Sequence, residues 1–182
     1  MTEVAPVPAA SVILLRGDPY EVLMIRRHAK ASFVPNAWVF PGGAVDAADA
    51  RATTLETMRA AAARELFEET SISTDPEQLV WTSHWITPEG LPKRFDTYFF
   101  LARAADGAEA TIDRNEAVDV VWITPAEAIE TLDIVFPTLK NLEAIAGFPS
   151  IEALLDSRRG ADIQPTRPRM LMVGGKRTFV LP

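Results

Sequence analysis

The stretch FPGGAVDAADARATTLETMRAAAARELFEETSI, Phe40 to Ile72, sets a glycine pair, Gly42-Gly43, near one end and the charge block Arg64-Glu65-Leu66-Phe67-Glu68-Glu69 at the other. From Thr53 to Thr70 it holds no glycine or proline and is rich in alanine, which predicts a helix. On a wheel of roughly 100° per residue, Leu55, Met58, Ala62 and Leu66 form one apolar stripe facing a core. Glu65 and Glu69 fall on the border of that stripe, with Glu68 beside them and Arg64 further round. A solvated charged face would lie opposite the core instead. Carboxylates at a core edge repel one another and are partly desolvated, a costly arrangement unless a cation joins them. Oxygen ligands at i, i+3 and i+4 suit Mg2+ or Mn2+. The competing arrangement is a salt-bridged surface helix, with Arg64 pairing to Glu68 at i+4. The glycine pair favours the metal, because without side chains the backbone can approach a ligand and offer the Gly43 carbonyl to it.

Working outward, ASVILLRG and EVLMIRR are two β-branched-rich runs around DPY, hence a strand pair. The loop HAKASFVPNA and the segment WVF lead into the glycines. Downstream, QLVWTSHWIT and RFDTYFFLARA predict a hairpin around PEGLPK, and AVDVVWIT a further strand. PAEAIETL, PTLKNLEAIAGF and PSIEALLDS predict helices within residues 124–158, each with proline in its first turn, and RPRMLMVGGKRTFVLP reads as two short strands around Gly174-Gly175. Strands, a long helix, more strands and short helices make an α/β (α+β) domain, one mixed sheet covered by helices. At 182 residues and 48% hydrophobic content, a single domain over 1–182 is expected, with residues 1–9 as a flexible lead-in.

A net charge of -7 argues against a protein that neutralises nucleic-acid backbones. The absence of cysteine excludes disulfides, a thiol nucleophile and cysteine-ligated zinc. His28 and His84 have no metal-ligand spacing. With no basic leader and no apolar run of ~18 residues, a cytoplasmic protein without a membrane partner is expected, as a monomer or homodimer.

The same stretch resembles the Nudix box of the Nudix hydrolases: glycine, five residues, glutamate, seven residues, then Arg-Glu-apolar-x-Glu-Glu-x-Gly-apolar. Arg64, Glu65, Leu66, Glu68, Glu69 and Ile72 match, and Glu56 stands eight positions before Arg64. Counted from the other end, six positions after Gly43 is Asp49, so seven residues are inserted (56 minus 49), and Ser71 replaces the box glycine. Seven residues turn a helix through roughly 700°, close to two full turns, so the catalytic face is expected to keep its orientation.

The resemblance implies an α/β/α sandwich with the box helix on a mixed sheet, and divalent-metal-dependent hydrolysis of a diphosphate in a nucleotide-type small molecule. By position it implies Glu65, Glu68, Glu69 and the Gly43 carbonyl as ligands of Mg2+ or Mn2+, with Arg64 bracing the carboxylates. Glu116, in a loop before a late strand, would be the general base, with Glu65 as the alternative. Arg26, Arg27, Lys30 and the Gly42-Gly43 loop are candidate substrate contacts, Arg94 a further cation, and Phe33, Trp38, Trp81 and Trp85 candidate stacking rings; core packing or exposure competes for each. VFPGGAVDAAD with the lengthened box resembles the branch of peroxisomal coenzyme A diphosphatases and bacterial relatives, which makes coenzyme A or an acyl-coenzyme A the first substrate expected. The extended motif of the other coenzyme A branch is not met, since Ser32 and Asn36 occupy its arginine and glycine places. ADP-ribose, dinucleotides and nucleoside triphosphates follow, and a non-catalytic nucleotide-binding domain is the alternative from another class.

Overall fold

Strand β1 (Val7–Arg16) is buried on both sides, with Ile13 and Leu15 entering one core and Ala10, Val12 and Leu14 the other. A strand apolar on both faces belongs in the middle of a covered sheet. Its partners put it there. On one edge it pairs antiparallel with β2 (Glu21–Arg27) and β4 (Gly42–Ala44), and on the other it runs parallel to β6 (Phe95–Arg103). Beyond β6 come β5 (Val80–Ile86), antiparallel, and β8 (Pro165–Thr166), parallel to β5. Beyond β2 come β3 (Trp38–Val39) and β7 (Ala117–Ile123), both antiparallel to it.

The computed structural model describes residues 4–31 and 34–181. Residues 7–9, expected within a flexible lead-in, are strand: Val7 pairs with Phe95, and the Val7 N–H donates to the Arg94 carbonyl at 2.9 Å. Their partner lies far along the chain, and the proline-containing VAPVPAA has no local periodicity to announce it. Residues 4–6 of that lead-in carry no regular secondary structure, and residues 1–3 lie outside the described residues.

Helix α1 (Thr54–Thr70) covers one face of the sheet, burying Met58, Ala61, Ala62 and Leu66 against Val12, Leu14 and Phe100. Complete burial of a side chain such as Leu66 contributes about 1.5–3 kcal/mol. Leu55, on the same stripe, is only partly buried at the exposed end of the helix. Helices α2 (Pro125–Thr131), α3 (Phe136–Ile145) and α4 (Ile151–Arg158) supply Ala128, Leu142, Ile145 and Leu154 to the core on the other face. The layers are therefore helix, mixed sheet, helix. A separate hairpin, β9 (Arg169–Val173) and β10 (Lys176–Val180), turns through Gly174 and Gly175, both at positive φ. Among the described residues no helix is long and apolar enough to cross a membrane.

The ends of α1 fix its register. At its start Thr53 and Glu56 form a reciprocal capping box, with the Glu56 N–H donating to Thr53 Oγ1 at 3.2 Å and the Thr53 N–H to Glu56 Oε2 at 2.9 Å. At its end Ser71 takes the left-handed conformation, φ 60°, and its N–H donates to the Phe67 carbonyl at 2.8 Å.

Candidate active site

The glycine pair is a short strand, not a free loop, and each glycine is there for room. A Cβ on Gly42 would lie 2.6 Å from the Ser11 Cα, inside the β1 backbone. A Cβ on Gly43 would lie 2.5 Å from the Glu65 Cδ. Two missing side chains thus let β4 pair with β1 on one side and touch the acidic face of α1 on the other. The contact is sealed by the Gly42 N–H, which donates to Glu69 Oε2 at 2.8 Å.

Above this seam Glu65, Glu69 and Glu116 converge, each offering a carboxylate oxygen, all within 4.8 Å of one another. Glu69 is only 3% exposed. Burial pushes its carboxyl up to about 8, against the Gly42 hydrogen bond, and the Glu65 and Glu116 charges push the same way. Burial also raises Glu65, with Arg64 opposing. Glu116 reaches the cluster because its loop is tied at both ends. The Thr111 N–H donates to the Thr70 carbonyl at 2.8 Å, the Asp113 N–H to that of Glu69 at 3.2 Å, and the His28 N–H to that of Glu116 at 3.3 Å. Carboxylate oxygens crowded together and partly out of water fit a hard divalent cation such as Mg2+ or Mn2+.

Arg64 braces the site through a carboxylate that the sequence pattern did not single out as its partner. Its guanidinium grips Asp49 in two places, Nε to Oδ1 at 3.0 Å and Nη2 to Oδ2 at 2.9 Å, and Asp49 is 3% exposed. That pairing holds the Asp49 carboxyl below the usual range and the Arg64 guanidinium above it. Arg64 also donates to Glu65 at 2.9 Å, to Glu68 at 2.8 Å and to the Ala44 carbonyl at 3.0 Å. Glu56, eight positions before Arg64, instead caps the helix. The signal for Asp49 was its place six residues after Gly43. Glu68, expected among the metal ligands, is not brought into the cluster: it pairs with Arg64 and its side chain is 53% exposed.

A cleft of about 1020 Å³ opens over the carboxylates, with Gly42, Gly43, Arg27 and Lys30 in its lining. Arg26 is not in that lining; its guanidinium lies over the Trp38 ring, 6.0 Å from the centroid. Successive strand residues point to opposite faces, so the adjacent arginines at the end of β2 part company. Arg94 is buried, donating to the Thr87 and Val4 carbonyls, and is structural. Trp85 lines the cleft, whereas Trp81 stacks on Tyr98 away from it, at 5.1 Å. Trp38 packs against the core on the face opposite α1, and His84 bonds Asp96 within the sheet. Phe33 lies outside the described residues. Two cations that sequence reasoning missed, Lys93 and Arg114, also line the cleft. Arg114, two residues before Glu116, was legible once that loop was placed at the site.

The family model of the NUDIX domain matches residues 5–142, spanning both β1 and the whole carboxylate cluster. The chain belongs to the Nudix family. A putative nudix hydrolase 7 of Caenorhabditis elegans is 32% identical over 157 residues, covering 67% of this chain and 52% of the relative, so the chain spans about half the length of that Nudix relative. The acyl-coenzyme A diphosphatase NUDT19 of Gallus gallus is 42% identical over 65 residues, 29% of this chain and 17% of its own length. A crystallised Nudix hydrolase from Alicyclobacillus acidocaldarius superposes with a TM-score of 0.77 at 22% identity, over 84% of this chain and 96% of that one. The last likeness shows the Nudix fold.

Proposed function

We propose that this chain is a Mg2+- or Mn2+-dependent diphosphatase that hydrolyses the diphosphate linkage of coenzyme A or an acyl-coenzyme A. The observation that carries the proposal is the convergence of Glu65, Glu69 and Glu116 within 4.8 Å at a cleft whose lining includes Gly43 and Arg27. Glu65, Glu69 and the Gly43 carbonyl would hold the cation, with Glu68 supporting Glu65 through the shared Arg64 guanidinium. When bound, the cation supplies charge neutralisation of the diphosphate and activation of the attacking water.

The chain's own groups do the rest. Glu65 already accepts from Arg64 at 2.9 Å, whereas Glu116 is the exposed member of the cluster and would take the water's proton. The water oxygen bonds to one phosphorus as the bridging P–O bond breaks, giving 3′,5′-ADP and a 4′-phosphopantetheine product. Arg27, Lys30 and Arg114 line the same cleft and offset the substrate's phosphates, which a chain of net charge -7 would otherwise repel. Coenzyme A leads because VFPGGAVDAAD and the lengthened box resemble that branch, and because of the local likeness to the Gallus gallus acyl-coenzyme A diphosphatase.

The test is a panel of coenzyme A, ADP-ribose, NADH and nucleoside triphosphates with Mg2+, products identified by mass. Release of 3′,5′-ADP from coenzyme A is expected. Cleavage of ADP-ribose or another panel member with none of coenzyme A would overturn the substrate, and no cleavage of any would overturn the enzyme.

A further inference from the structure

The C-terminal hairpin β9–β10 lies beyond residues 5–142, the part that matches the NUDIX family model, yet it forms a wall of the cleft. Two ties bring it there. Strand β8 pairs with His84 and Trp85 of β5, returning the chain to the sheet edge beside the cleft. Met170 of β9 then meets the turn after β5, its methyl 3.6 Å from where a Cβ on Gly90 would stand. A lone two-stranded hairpin is marginal in water, so such contacts keep it in place.

What the hairpin presents to the cleft is apolar. Phe179 of β10 sits 6.1 Å from Phe136 at an interplanar angle of 36°, and Phe136 meets Trp85 edge-on at 6.1 Å and 86°. With Leu91, Val135 and Pro168, these rings form an apolar part of the lining of the same cleft that holds the carboxylates. Centroids 6.1 Å apart are in direct contact, so no slot remains between these rings for a flat base. A continuous wall of ring faces and edges suits a flexible aliphatic chain instead.

We infer that the hairpin completes a subsite for the acyl chain of an acyl-coenzyme A, with Phe179 as its specificity-determining residue; this rests on the diphosphatase assignment above. The phosphates lie at the carboxylate end and the acyl group against Phe179, Phe136 and Trp85. Chain length therefore sets affinity, by about fourfold for each methylene removed from water.

Binding without turnover separates this inference from the assignment it rests on. Coenzyme A and its acetyl, butyryl and octanoyl thioesters are titrated in EDTA by calorimetry, with tryptophan fluorescence as a second readout. The wild-type protein is expected to bind octanoyl-coenzyme A at least about tenfold more tightly than the acetyl thioester. Phe179→Ala is expected to flatten that dependence, and Phe179→Leu, which keeps an apolar side chain, to retain most of it. Wild-type affinity independent of chain length overturns the inference with no variant needed, and so does an unchanged slope in folded Phe179→Ala. The same four ligands are then incubated with Mg2+. If none is hydrolysed the coenzyme A diphosphatase assignment falls, while the binding series still decides the subsite.

Discussion

Replacing Glu69 by glutamine should stabilise the metal-free protein at alkaline pH and abolish its activity. The Glu69 carboxyl is 3% exposed and raised to about 8, from an ordinary value of 4.5, chiefly by burial. Because the folded value stands above the unfolded one, the folded protein retains a proton that the unfolded chain has released. Stability from this group is complete below about pH 4.5 and is lost as pH rises through about 8. Raising the carboxyl from 4.5 to about 8 amounts to about 5 kcal/mol once Glu69 is ionised in both states. Glutamine keeps the shape, its amide oxygen can still accept the Gly42 N–H, and it never ionises. At pH 9 in EDTA, Glu69→Gln should therefore melt about 10–20 °C above wild type, at 2–4 °C per kcal/mol for a chain of this size. At pH 4.5 the two should melt together. Adding Mg2+ should raise the wild-type midpoint by mass action and leave the variant unmoved, and the variant's kcat should fall at least about 100-fold. Thermal unfolding followed by circular dichroism at both pH values, with and without Mg2+, reads all of this. Equal midpoints at pH 9 and equal responses to Mg2+ would refute both the buried carboxylate's cost and its role as a ligand.

Asp49→Asn should cost about 2–3 kcal/mol in urea unfolding, because Arg64 loses its buried partner but keeps Glu65 and Glu68. Glu56→Ala should cost only about 1 kcal/mol, through the lost cap, with kcat unchanged; the reverse order would show that Asp49 is not the arginine's main anchor. Gly43→Ala should displace the Glu65 carboxylate from its 2.5 Å clash and lower kcat/KM by about 100-fold in steady-state assays. Ser71→Gly should stabilise by about 0.5 kcal/mol in the same urea unfolding, since relief of about 1–2 kcal/mol of left-handed strain outweighs glycine's entropy cost. Glu116→Gln should lower kcat by about 100-fold or more in the same steady-state assays; a kcat within about threefold of wild type would return the general base to Glu65.

Elements whose signal is local were legible in the sequence. The α1 stripe of Met58, Ala62 and Leu66 faces the sheet as the 3.6-residue period requires, and Glu65 and Glu69 sit at its border as the wheel placed them. What escaped depends on contacts between distant segments. Val7–Ala9 are strand because Phe95–Thr97 lie on one side of them and Ala44-Val45 on the other. Arg26 and Arg27 look equivalent in EVLMIRR and differ only in which face of the sheet they meet. Phe179 reaches the cleft through β8 and the hairpin, a path with no periodic trace in the sequence.

The lengthened box shows the same division between local pattern and distant pairing. Helical phase leads one to expect seven added residues, whether they lengthen the helix or precede it, to leave the catalytic face in place. In the structure the added residues precede the helix. The insertion is not two turns of helix: a short 3-10 turn, Ala47–Asp49, is followed by a non-helical link, and α1 begins at Thr54. What holds the face is the pair of hydrogen bonds from Arg64 to Asp49, fifteen positions apart, together with the Arg64 donation to the Ala44 carbonyl beside the glycine strand. The link between the two anchored ends carries no part of the orientation, so its length is a matter of loop-closure entropy, which grows only slowly with added residues. Asp49 and Arg64 thus do for this site what helical continuity was expected to do, and the glycine strand and the carboxylates stay in contact because both are fastened to the same guanidinium.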